Sequence, residues 1–167
     1  MSSSDNSGRI PASANARRAP LGNLTAGRIS PMRSVPESIE RPEYMFHDGP
    51  ENVTASDIKD ADTVERIRHA GRIAADALRV VGEAVRPGVT TDELDRIGHD
   101  FIVGAGAYPS CLGYMGYPKS LCTSINEVIC HGIPDDRPLE DGDIVNVDIT
   151  AFYEGCLLYT SPSPRDS

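Results

Sequence analysis

The chain has no tryptophan, and aromatic residues make up only 5% of its 167 positions. Surfaces that bind single-stranded nucleic acid stack bases on such rings, so that class is disfavoured. Basic charge is also short: 16 Lys and Arg stand against 25 Asp and Glu, a net charge of −9. Displacing counterions from a phosphate backbone needs the opposite balance, which argues against nonspecific nucleic-acid binding. No apolar run is long enough to cross a bilayer, and the opening MSSSDNSGRI has no apolar core of the signal-peptide kind. A cytoplasmic chain is expected. The four cysteines, Cys111, Cys122, Cys130 and Cys156, form no Cys-x-x-Cys pair. A zinc ribbon is therefore excluded, and free thiols are expected in a chain without an export signal. No internal repeat is visible, and the length suits one domain.

What is present divides into three parts. Residues 1–50 form a Pro/Ser-rich leader without a sustained apolar period, expected to be largely disordered or extended. Within it, Arg41-Pro42-Glu43-Tyr44 either lies extended against the domain, anchored by Tyr44 and Phe46, or is a free tail. Residues 51–155 carry the folded pattern. Val64, Ile67, Gly71, Ala74, Leu78, Val81 and Val85 recur at helical spacing and predict a helix over 61–85, stopped by Pro87-Gly88. A second helix is predicted from Thr90, where Thr90 and Glu93 form a capping box, to Gly104. Its buried face is Leu94, Ile97, Phe101 and Ile102, with His99 at or near the surface. Ser110 to Tyr117 reads as a loop or bent strand, and 119–124 and 127–130 as short strands joined at Ile125-Asn126. The order of helix, helix and antiparallel strands is an α+β pattern. Residues 156–167 are a tail of different character.

The chain is organised around Lys119 to Thr150. Val145, Val147, Ile149 and Ala151 alternate with Ile144, Asn146, Asp148 and Thr150, which predicts a strand with one apolar and one polar face. A carboxylate at Asp148 is either hydrogen-bonded structure, part of a surface face or a metal ligand. His131 stands alone in the turn Cys130-His131-Gly132-Ile133-Pro134. Cys111, Tyr114, Tyr117 and Cys122 could be ordinary core.

The string LCTSINEVICHGIPD, residues 121–135, resembles the central motif of type I methionine aminopeptidases, and LEDGDIVNVDIT, residues 139–150, resembles the strand carrying their first metal-binding aspartate. Residues from about 50 to 155 are similar to the N-terminal half of those enzymes. Ser30 to Tyr44 is similar to the leader SPxRxVPxxIxRPEY of the actinobacterial type. The resemblance implies an incomplete pita-bread fold, its first half only. It implies Asp148 as a metal ligand, with Thr150 orienting its carboxylate, and His131 as the catalytic residue contacting the scissile amide or tetrahedral intermediate. Cys111, Tyr114, Tyr117 and Cys122 would join His131 in binding the substrate methionine. The backbone carbonyls of Asn126 and Val128 would hold a monovalent cation.

The implied activity is metal-dependent removal of the initiator methionine from nascent chains by a hydrolase. It would use two divalent ions drawn from cobalt, manganese, iron, zinc or nickel. Implied partners are peptides beginning with Met, met near the ribosome by a monomeric enzyme, with neither nucleic acid nor membrane as a partner. The family's second aspartate, its later histidine and its two glutamates have no counterpart up to Ser167. These residues alone are therefore expected to be inactive. The alternatives are a noncatalytic pita-bread relative that binds peptides or proteins, and the proline-specific aminopeptidase branch.

Overall fold

A computed structural model of the protein describes residues 25–46 and 58–160. The expectations for residues 1–24, 47–57 and 161–167 lie outside this range. Helix α1 spans Ala61–Ala84 and is opened by Asp60, whose side chain accepts from the Thr63 amide. Its buried side is Ala70, Ile73, Ala74, Ala77 and Val81, while Val64 and Ile67 of the expected stripe are only partly covered. Helix α2 spans Thr91–Gly104, and the Thr90 side chain accepts from the Glu93 amide. The capping box is one-sided, because the Glu93 carboxylate is bonded to Arg96 instead.

The strands are β1 (Tyr108–Pro109), β2 (Cys122–Ile125), β3 (Val145–Tyr153) and β4 (Cys156–Thr160), all paired antiparallel to β3. Ser110 N donates to Thr150 O, and Asn126 N donates to Ile144 O. Successive carbonyls of a strand point to opposite edges, and these two are six residues apart. Strands β1 and β2 therefore share one edge of β3, in succession, and β4 takes the other. Residues 111–121 form a loop inserted into an otherwise continuous edge. The β3–β4 turn is Glu154-Gly155, both at positive φ (45° and 75°), as a tight two-residue hairpin of this hand requires. The apolar face of β3 packs with α1, α2 and Leu121 in the main core, which holds Ile149, Ala151, Val145 and Val147.

Four expectations are corrected. Residues 127–130 form no strand: the chain turns at Asn126 (φ 55°), Val128 N bonds back to Ile125 O, and the partner of β2 is β3. His99 is buried, because its ring lies between Ser120 Oγ (2.7 Å) and Ser34 O (3.2 Å). Phe46 is 69% exposed and anchors nothing, whereas the Tyr44 hydroxyl donates to Ser110 O at 2.6 Å. The change of character expected after Gly155 does not coincide with the end of the fold, since β4 pairs with β3 over five registers and Cys156 is buried.

Residues 27–45 lie across the domain as a strap. Gly27 N and Arg28 bond to Asp135 and Asp136, and Ser30 Oγ bonds to Asp92. Arg33 pairs with Asp92 and Asp95 at 3.2 Å, and Val35 is buried against Tyr108 and Leu112. Lys119 is wholly buried, with its ammonium on Ser30 Oγ and Asp92.

Candidate metal-site and substrate face

The polar face of β3 brings some of the candidate residues together. Asp148 stands opposite Cys122 in the β2 register. Its Oδ1 is buried and has no hydrogen-bond partner. Burial raises the Asp148 pKa above the usual carboxylate range, and the nearby charge of His131 works in the other direction. A buried carboxylate oxygen without a protein donor costs free energy unless something supplies positive charge.

His131 reaches this face from the loop after β2. Its backbone is left-handed (φ 54°) and its side chain is exposed. Gly132 fixes the loop: its carbonyl accepts from Thr123 N at 2.8 Å and from Tyr117 Oη at 2.9 Å, and its amide donates to Ser124 Oγ. A Cβ on Gly132 would sit 2.1 Å from Thr123 O, so no other residue permits this approach without backbone movement.

Cys122 and Cys111 stand near Asp148, and Tyr117 meets Cys122. Cys111 Sγ lies 3.1 Å from Thr150 Oγ1. The Cys111 thiol is hydrogen-bonded to Cys122, which raises the Cys111 pKa, assisted by burial, and lowers that of Cys122. Burial raises the Tyr117 hydroxyl, which also meets Cys122. The Thr150 hydroxyl, expected to orient the Asp148 carboxylate, meets Cys111 and stands two residues from Asp148 along one strand face. Tyr114 is partly exposed and meets Tyr44 edge-on, with ring centroids 5.2 Å apart. Asn126 occupies the turn after β2, where its side chain bonds Asp143 Oδ1 and the Ile144 amide. Val128 follows it in the same turn.

Sequence reasoning missed the support beneath this face. Asp95, fully buried on α2, accepts from the amides of Ser120 and Leu121 and so holds the start of β2. Burial raises its pKa against those two bonds and Arg33. An acidic residue on the inward side of a helix was the available signal.

The sequence profile of Metallopeptidase family M24 matches residues 65–161. The chain belongs to this family. Among curated M24 relatives it is 55% identical over 132 residues to methionine aminopeptidase 2 of Mycobacterium tuberculosis. It is 48% identical over 141 residues to the mitochondrial methionine aminopeptidase 1D of Dictyostelium discoideum. The matches cover 79% and 83% of this chain but only 46% and 35% of those proteins, so the chain spans less than half the length of either. Among solved structures, methionine aminopeptidase from Rickettsia prowazekii superposes with a TM-score of 0.61 at 44% identity, covering 63% of this chain and 42% of that one. An X-Pro aminopeptidase from Thermotoga maritima, at 22% identity and a TM-score of 0.50, shares the fold alone. The architecture is thus the first part of the pita-bread fold of M24 peptidases.

The M24 assignment implies divalent metal ions. The unpartnered Oδ1 of Asp148 fits a cation ligand. Among the described residues no group of three or more His, Cys, Asp or Glu side chains is gathered for a metal. The residues present fit one ligand of such a centre.

Proposed function

We propose that the polypeptide to which these residues belong removes N-terminal methionine from peptides and nascent proteins, using divalent metal ions held in part by Asp148. The observation that carries this reading is the buried, unpaired Asp148 carboxylate oxygen beside His131, within the span matched by the M24 family. When bound, a divalent pair polarises a peptide carbonyl and lowers the pKa of water. His131 extends from a loop locked by Gly132 and donates a hydrogen bond to the reacting amide, where negative charge develops. Cys111, Tyr117 and Cys122 form the wall that receives the thioether, a polarizable group suited to sulfur and ring contacts. Tyr114 stands at the rim. The carbonyls of Asn126 and Val128 hold a monovalent cation that stiffens the turn after β2. The enzyme acts as a monomer in the cytoplasm, near the ribosome exit, on chains whose second residue is small. Cobalt, manganese, iron, zinc and nickel are the candidate metals.

With one ligand gathered, the 167 residues by themselves turn over little substrate. Assaying Met-Gly-Met with added cobalt or manganese tests this, and substantial turnover would refute it. In the longer polypeptide, Met-Ala peptides should be cleaved and Xaa-Pro peptides spared. The reverse order would move the protein to the proline-specific branch. Binding of peptides without hydrolysis by that longer polypeptide would favour the noncatalytic reading, against which the retained Asp148 and His131 stand.

A further inference from the structure

The loop 111–121 leaves the edge of β3 at Ser110, bonded to Thr150, and returns at Cys122, opposite Asp148. Its two ends are both cysteines. Because β1 and β2 share one edge, Cys111 and Cys122 meet at the neck of the loop. Cys111 Sγ rests on Thr150 Oγ1, two residues along the same strand face from Asp148. Cys122 stands opposite Asp148 and Cys111 rests on Thr150, so both thiols lie on the same strand face at the same edge. The loop is also closed on itself, by Gly113 N to Tyr117 O at 2.8 Å and Tyr117 Oη to Leu121 O at 3.1 Å. All four cysteines are free thiols in this state. The pair does not extend to a set of metal-binding side chains among the described residues, so a soft-metal site is not what the neck forms.

We propose that Cys111 and Cys122 are a dithiol–disulfide pair that oxidises internally and reversibly at the neck of this loop. The oxidant is a small-molecule disulfide such as oxidised glutathione. The sulfur of one cysteine of the pair attacks one glutathione sulfur, forming a mixed disulfide and releasing one glutathione. The sulfur of the other cysteine then attacks the bonded cysteine sulfur, forming the bridge and releasing the second. The two thiol hydrogens end on the two released glutathione molecules, so the protein is oxidised by two electrons and the reagent reduced by two. Closing the sulfurs to the covalent distance of about 2.0 Å ties the two ends of the loop together. Cys130 is exposed, with no cysteine among its hydrogen-bond partners, and stops at the mixed disulfide; Cys156 is buried at the start of β4. If the pocket reading above is right, the bridge stiffens the wall facing the methionine side chain, so that this consequence rests on that reading while the bridge does not.

The test treats the native full chain with oxidised glutathione, alkylates remaining thiols in denaturant and maps the peptides. Glu127 lies between Cys122 and Cys130, so a glutamate-specific protease separates them. The expected result is a linked Cys111–Cys122 peptide that dithiothreitol reverses, with glutathione on Cys130. In Cys111→Ser the linked peptide is absent. Alkylatable Cys111 and Cys122 after Cys130 is fully modified would overturn the proposal, as would a Cys122–Cys130 link. The readout is a mass, independent of metal or peptidase activity, so its failure is distinct from failure of the proposed function.

Discussion

At Asp148, stability and function pull in opposite directions. Its pKa is raised in the folded chain, so the folded state holds the proton more tightly than the unfolded one. Below the unfolded value near 3.8 both states are protonated and nothing is lost. As pH rises from there through the folded pKa, the unfolded state ionises first and stability falls. Asp148→Asn removes that loss. In metal-free buffer the variant should be more stable than the parent at neutral pH, with the gap closing on acidification. Urea denaturation across pH measures this, and a pH-independent gap would contradict the burial argument. A second expectation concerns Gly132. Placing Cβ against Thr123 O forces the His131 loop off β2, so Gly132→Ala should cost about 1–3 kcal/mol. Amide exchange at residues 131–133 should accelerate more than in α1.

Among the elements, the strap and α2 carry the support. Lys119 is fully buried while Asp92 keeps about a quarter of its side-chain exposure. Truncating Lys119 to Ala should therefore cost less than the ~3–5 kcal/mol of a fully buried broken pair, on the order of 1–3 kcal/mol by thermal denaturation. Burial raises the Asp92 pKa, but Lys119, Ser30 and Arg33 together bring it below the usual value. Its contribution is present above the unfolded pKa and lost as pH falls through the folded one, the reverse of Asp148. Thr90→Ala removes the cap of α2 and should cost about 1 kcal/mol. These elements also show what a sequence can disclose. The period-two alternation of β3 and the Thr90 cap are local signals; the strand and the cap both form, but burial along β3 does not alternate, since Ile149, Thr150 and Ala151 are all buried. The contacts of Lys119 with Ser30 and of Gly27 with Asp135 join residues 89 and 108 apart, where composition gives no hint of pairing. The Val-Ile run after Glu127 has strand propensity, but the left-handed turn at Asn126 and the close packing of Gly132 override it.

On the scale of the molecule, the chain presents one polar sheet face with one candidate ligand, on the first part of an M24 fold. The apolar side of β3 is covered by α1 and α2, and Ile129 and Ile133 are exposed around the His131 loop. No helix among the described residues is long and apolar enough to cross a membrane. The residues that make the motif legible were contiguous in sequence; the contact of Cys111 with Thr150 was not foreseen, because it depends on how β1 pairs with β3. The turn at Glu140, Asp141 and Asp143 lines a separate cleft with Val85 and Leu139, to which neither Asp148 nor His131 contributes. That turn, with carboxylates but no gathered ligand set, serves as the comparison surface. Paramagnetic line broadening by added manganese, read from the backbone amide spectrum, therefore tests the central claim most directly. Broadening should centre on Asp148, Cys122 and His131 and vanish in Asp148→Asn. Broadening confined to residues 140–143, or unchanged by that substitution, would contradict the assignment of Asp148 as a metal ligand.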